Sequence, residues 1–104
     1  MHKKTITMEV RIQAIHFDAS EKLVEFINKK AERLARHIVN ITEIGVSLKV
    51  IKPETAMNKE AVVRVTVPQQ PEQVATKVAD TFEEAIDLCM DALERQLEKN
   101  KARK

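Results

Sequence analysis

The chain has no tryptophan, no tyrosine, three phenylalanines, one glycine and one cysteine among 104 residues. Each shortage excludes something. With only three aromatic rings there is little on which unpaired bases could stack. With a single glycine there is no glycine-rich loop whose backbone can close around a phosphate. A lone cysteine, Cys89, cannot form an intramolecular disulfide, and with His2, His16 and His37 it makes no pair at metal-ligand spacing. The cytosol is therefore the expected compartment. No apolar run approaches the roughly 20 residues that cross a bilayer, so no membrane partner is expected. Met1 to Val10 alternates polar and apolar residues instead of forming the unbroken apolar core of a signal peptide. A chain of this length buries about 65% of its unfolded surface, enough for one core. One domain over residues 1–104 is expected.

What is present is periodicity. Thr5 to Ile15 alternates, with Ile6, Met8, Val10, Ile12 and Ala14 on the face expected to be buried. Asp18-Ala19-Ser20-Glu21 then reads as a capping box with Asp18 at the N-cap. Leu23, Phe26, Ile27, Leu34 and Ile38 follow at helical spacing, predicting a helix over about Ala19 to His37. Alternation returns over Glu43 to Ile51, with Ile44, Val46, Leu48 and Val50 inward. Pro53 to Lys59 supplies a turn, and Ala61, Val63, Val65 and Val67 mark a third strand. Pro68 and Pro71 bracket a connection, and Glu72 to Val78 is a weaker fourth strand. Asp80-Thr81-Phe82-Glu83 forms a second acidic cap for a helix over about Thr81 to Asn100, with Phe82, Ile86, Cys89, Leu93 and Leu97 on one stripe. Lys101 to Lys104 is expected to fray. The order β-α-β-β-β-α predicts an α+β two-layer sandwich. A four-stranded sheet, its consecutive strands in an antiparallel meander, carries both helices on one face and leaves the other polar. From the first helix onward this is also the order of double-stranded-RNA-binding domains.

No catalytic constellation emerges. His16 reads as a hydrogen-bonded loop histidine and Cys89 as a small apolar core residue. The acids Asp80, Glu83, Glu84 and Asp87 suit a helix N-terminus. No enzyme activity, metal, cofactor or small-molecule substrate is expected. The charged residues say more. Eighteen Lys and Arg against 16 Asp and Glu leave a net charge of only +2, but the charges are segregated. Residues 1–52 carry 10 basic and 6 acidic side chains and residues 53–104 carry 8 and 10, of which the last 13 residues hold 5 and 2. Lys29, Lys30, Arg33 and Arg36 crowd the second half of the first helix, opposed by Glu32. Arg95, Lys99, Lys101, Arg103 and Lys104 crowd the end of the second. One reading of this pattern is helix-dipole complementarity together with an ordinary solvated face. The other reading is a pair of basic segments on one side of the sandwich, gripping phosphates.

The last helix also carries a resemblance. Asp80-Thr81-Phe82-Glu83-Glu84-Ala85-Ile86-Asp87-Leu88, then Asp91-Ala92-Leu93-Glu94-Arg95-Gln96-Leu97, then Lys99 and Lys101, resembles the ending of ribosome hibernation promoting factors. These are also called sigma-54 modulation proteins or ribosome-associated inhibitors. Lys30-Ala31-Glu32-Arg33-Leu34 resembles the family's basic-x-x-basic-Leu segment, and the element order agrees over essentially the whole chain. Two positions depart from the family pattern: Ala92 stands where lysine is common, and Phe82 where tyrosine is.

The resemblance implies a stress or stationary-phase protein that binds the small ribosomal subunit, 16S rRNA and ribosomal proteins together. It would lie in the mRNA and tRNA channel of 70S or 100S ribosomes and stop translation by occlusion. Lys30, Arg33, Arg95, Lys99 and Lys101 match the family's basic positions, and Lys22, Lys29, Arg36 and Arg103 join them by charge and position. The chain resembles the short form, whose relatives favour 100S dimers. A protein-interaction module and a general double-stranded-RNA binder are the competing readings.

Overall fold

The structure, a computed structural model, describes residues 8–38, 40–51 and 56–103, with side chains as far as Lys99. Six elements follow in the expected order: β1 (Glu9–Ala14), α1 (Glu21–His37), β2 (Glu43–Val50), β3 (Lys59–Thr66), β4 (Gln73–Ala79) and α2 (Phe82–Arg103). The sheet order is β1-β2-β3-β4. β2, β3 and β4 form the expected antiparallel meander, and β1 joins β2 in parallel, with α1 supplying the crossover that a parallel pair needs. The sheet is therefore mixed. The predicted strand residues Thr5 to Thr7 and turn residues 52–55 lie outside the described residues.

Both helices pack on one sheet face. Ile44, Val46 and Leu48 of β2 and Ala61, Val63 and Val65 of β3 are buried beneath Leu23, Ile27, Ala31 and Leu34 of α1 and Ala85, Ile86, Cys89, Met90, Leu93 and Leu97 of α2. β1 is less covered than its alternation predicts. Val10, Ile12 and Ala14 are half-buried because β1 is an edge strand and α1 stands off it, leaving an open groove floored by these residues and flanked by Phe17 and Val24. The opposite sheet face is not wholly polar. Pairing of Val62 with Thr76 and of Arg64 with Val74 turns the β4 valines Val74 and Val78 outward, and Val74 is 40% exposed. Charged side chains also stand on that face, with Arg11 bridging Glu9 and Glu43, and Arg64 facing Glu72.

The helix starts differ from the capping boxes read in the sequence. α1 begins at Glu21 with Ser20 as N-cap; the Leu23 N–H donates to Ser20 Oγ at 3.1 Å. At α2 the Glu84 N–H donates to Thr81 Oγ1 at 3.1 Å. Asp80 instead accepts from the Met57 N–H at 2.7 Å, pinning the β2–β3 loop. Each helix thus begins later than its first acidic residue because a hydroxyl one or two positions on meets the free N–H groups. Ser20→Ala should cost about 1 kcal/mol, while Asp18→Ala should change stability by a few tenths; urea titration of the two variants checks this. At the other end, α2 continues helically to Arg103, and Lys104 lies outside the described residues.

Candidate nucleic-acid interface

α1 and α2 run parallel and in step. Lys30 Nζ meets Asp87 Oδ1 at 2.6 Å, and His37 Nδ1 meets Glu94 Oε2 at 2.9 Å, contacts seven residues apart on each helix. At the entrance, the Phe17 and Phe82 rings stack with centroids 5.1 Å apart and planes 10° from parallel, tying the approach to α1 to the first residue of α2. Parallel helices bring like ends together. The acidic first turns, Glu21 of α1 and Glu83 and Glu84 of α2, lie at one end of the helix layer. The basic second halves share the other. α1 ends level with Glu94, and α2 runs on from there to Arg103, about 14 Å further.

Sharing an end is not the same as forming one strip. Asp87 and Glu94 mark the α2 stripe that faces α1, and Asp91 and Glu98 extend it at four-residue spacing. Lys30, Arg33, Asp87, Asp91 and Glu94 line a shallow interhelical groove in which basic side chains oppose acids. Lys30 is the most committed: it is half-buried, paired with Asp87, and its ammonium lies 5.4 Å from the Phe26 ring centroid. Arg95 and Lys99 belong to another stripe, with Leu88 and Ala92 at i, i+4, i+7 and i+11, on the flank away from α1. Lys22, Lys29 and Arg36 are exposed and recur every seven residues along the outer face of α1, interleaved with Glu25 and Glu32. Lys22 stands at the acidic end, roughly 21 Å along the helix from Arg36. The helix layer thus presents an acidic row between two basic flanks, and its net positive end is at the helix C-termini. The side chains of Lys101 and Arg103 lie outside those described, although both positions are helical.

The aromatic rings are all engaged internally, Phe17 with Phe82 and Phe26 beneath Lys30. A base-stacking surface is thus excluded by placement as well as by number. His16 sits in the β1–α1 turn with a left-handed backbone, φ 67°. Cys89 is fully buried against the Ala61 and Ala75 carbonyls, at 3.4 and 3.5 Å from Sγ. Burial pushes its thiol up to about 11, against the partial relief of a Lys77 backbone hydrogen bond and the Lys77 charge. The folded domain should therefore resist thiol reagents at pH 8 until it unfolds, and Ellman titration with and without denaturant measures this. The sign for stability follows. The contribution of the neutral thiol is complete below pH 9, where an unfolded cysteine titrates, and is lost as pH rises toward 11.

No helix among the described residues is long and apolar enough to cross a membrane. A family model described as sigma 54 modulation protein / S30EA ribosomal protein matches residues 10–104. A ribosome hibernation promoting factor of Azotobacter vinelandii is 34% identical over 94 residues, 90% of this chain and 83% of that protein. One from Pseudomonas putida is 30% identical over 94 residues, covering 90% of this chain and 87% of its own length. Among solved structures, a ribosomal subunit interface protein from Coxiella burnetii superposes with a TM-score of 0.77 at 27% identity, over 91% of this chain and 99% of that one. The Protein Y N-terminal domain of Thermus thermophilus, at 20% identity and a TM-score of 0.70, shares the fold over 90% of this chain and 98% of its own.

Proposed function

The chain belongs to the sigma 54 modulation protein / S30EA ribosomal protein family, and from that premise we propose that it is a ribosome hibernation factor. As a single domain over residues 1–104, it binds the small ribosomal subunit in the mRNA and tRNA channel, under stress or in stationary phase, and silences translation. The observation that carries this reading is the parallel pairing of α1 and α2, which collects the basic halves of both helices at one end.

The mechanism is occlusion, without covalent chemistry, cofactor or small-molecule substrate. Ribosomal RNA presents phosphates at fixed positions set by its fold, and recognition of such a surface needs charge and shape rather than base readout. Arginine suits it because the guanidinium fork holds two phosphate oxygens at once. Arg33, Arg36, Arg95 and Lys99 are the exposed contacts, joined by Lys29 and by Lys101 and Arg103 on the last turns of α2. Lys30, already paired with Asp87, positions α1 against α2 and can reach a phosphate only by leaving that pair. Lys22 is the weakest member of the set, since it stands at the acidic end. A slab 46 × 35 × 17 Å across its Cα atoms fills the path of an RNA strand without any moving part.

Co-sedimentation with 30S and 70S particles in a sucrose gradient tests the reading, and the same gradient reports 70S or 100S as the bound form. Release should steepen with salt, log K falling by about 0.7–0.9 per phosphate contact for each decade of salt. Absence from the ribosomal fractions at low salt would overturn it. Equal affinity for arbitrary duplex RNA and for ribosomes would favour a general double-stranded-RNA binder instead.

A further inference from the structure

His37, the last residue of α1, faces Glu94 and Glu98 of α2, and the ligating atoms of all three lie within 4.8 Å of one another. We propose that this trio is a binding site for a first-row divalent cation of the zinc type, bridging the C-terminal turn of α1 to α2.

The fold supplies the geometry. Glu94 and Glu98 are one helical turn apart, so their carboxylates stand side by side, and the in-step packing of the helices sets the imidazole against them. Ligand atoms around a four-coordinate ion, each about 2.0–2.2 Å from it, stand about 3.2–3.6 Å apart. His37 Nδ1 and Glu94 Oε2 are already 2.9 Å apart, and a carboxylate oxygen of Glu98, exposed on the next turn, lies within 4.8 Å of both residues' ligating atoms. One imidazole and two carboxylates suit zinc, cobalt, nickel or manganese; magnesium and calcium prefer all-oxygen shells. Three protein ligands leave the fourth position to water or to an anionic oxygen. The ordinary alternative is that His37 and Glu94 simply pair and hold the helix ends together, with His37 favoured there by the helix dipole.

The site lies at the end where the family-based reading needs positive charge. Two carboxylates bring −2 to that end, and a divalent cation cancels them while leaving one position open toward a phosphate oxygen. Arg33, which lines the adjoining groove with Glu94, opposes the ion and should weaken its binding. Sequence reading missed the trio because His37 and the glutamates lie on different helices, 57 residues or more apart, and no local spacing announces them.

Chelator-stripped protein titrated with zinc chloride tests the proposal without any ribosome, so its failure and that of the hibernation reading are separable. Isothermal titration should find one site, and thermal melting should rise by about 5 °C at saturating zinc. Glu98→Gln removes a ligand without touching the His37–Glu94 pair; with His37→Ala, it should weaken binding by about tenfold or more. Cobalt(II) should give visible absorption of tetrahedral intensity in the wild type and lose it in both variants. Zinc binding that survives both substitutions, or no binding at all, overturns the proposal.

Discussion

Replacing Arg33, Arg95 and Lys99 together by glutamate should abolish ribosome binding while leaving the domain folded. All three are exposed, and exposed substitutions away from caps and cores usually change stability by no more than about 0.5 kcal/mol each. Arg33 is the exception to watch. It lines the groove with Asp87, Asp91 and Glu94, so a glutamate there adds a fourth acid and should lower the melting temperature by a few degrees. Binding suffers far more. Three positive side chains become negative, so three attractions to phosphate turn into three repulsions, and the salt slope should flatten by about one for each phosphate no longer neutralised. The control is an equal change of charge elsewhere. Arg11, Lys49 and Arg64 lie on the opposite sheet face, where pairing puts Arg11 beside Gly45, Gly45 beside Arg64, and Lys49 beside Glu60. Their reversal to glutamate alters net charge by the same amount and breaks only exposed ion pairs worth about 0–1 kcal/mol. If binding depends on the helix layer, that second triple variant still co-sediments at low salt. Equal weakening in both would mean that only bulk charge matters and would remove the assigned interface. Retention in the first would favour a protein-docking module over an RNA-binding one.

Periodicity carried most of the fold. Alternation in Ile44, Val46 and Leu48, and the stripe through Ile86, Cys89, Leu93 and Leu97, is a local signal, and every one of these residues is buried. What local signals could not carry was partnership between elements. Val10, Ile12 and Ala14 alternate as well as any strand, yet their burial depends on how closely α1 approaches an edge strand, and it stays partial. In β4 the valines point outward and Gln73, Ala75, Lys77 and Ala79 point to the helices, because register against β3 fixes the face and apolarity does not. The caps were misplaced for a similar reason. Asp18 and Ser20 are both good N-cap residues, and the choice is made by where the chain leaves the turn at His16. At the candidate interface the basic residues were legible and their grouping was not. The sequence shows two basic segments; only the parallel packing brings their ends together, and only helical phase reveals the acidic row between Arg33 and Arg95.

Leu93→Ala should be the most damaging single change to stability, and Leu88→Ala, five residues earlier on the same helix, should be close to silent. Leu93 is fully buried in the core formed by α1, α2 and the sheet, whereas Leu88 is 41% exposed on the outer flank of α2. Truncating a buried leucine removes its transfer free energy and leaves a cavity that close-packed neighbours only partly refill, at a cost of about 2.7–5 kcal/mol. Small domains are marginal, with about 5–15 kcal/mol in all, so this one substitution consumes a large share. With each kcal/mol worth about 4–8 °C at this size, the melting temperature should fall by at least 10 °C, and urea unfolding at constant m should give the same ordering. Leu88→Ala keeps helix propensity high and vacates only solvent-facing space, so a shift within about 0.5 kcal/mol is expected. The contrast also bears on function. Leu88 shares its stripe with Arg95 and Lys99, so a Leu88→Ala protein that melts normally yet binds ribosomes more weakly would extend the interface along that flank. If instead both leucines cost the same stability, α2 would be seated about its axis differently from the packing described, and the assignment of Arg95 and Lys99 to an exposed flank would fall with it.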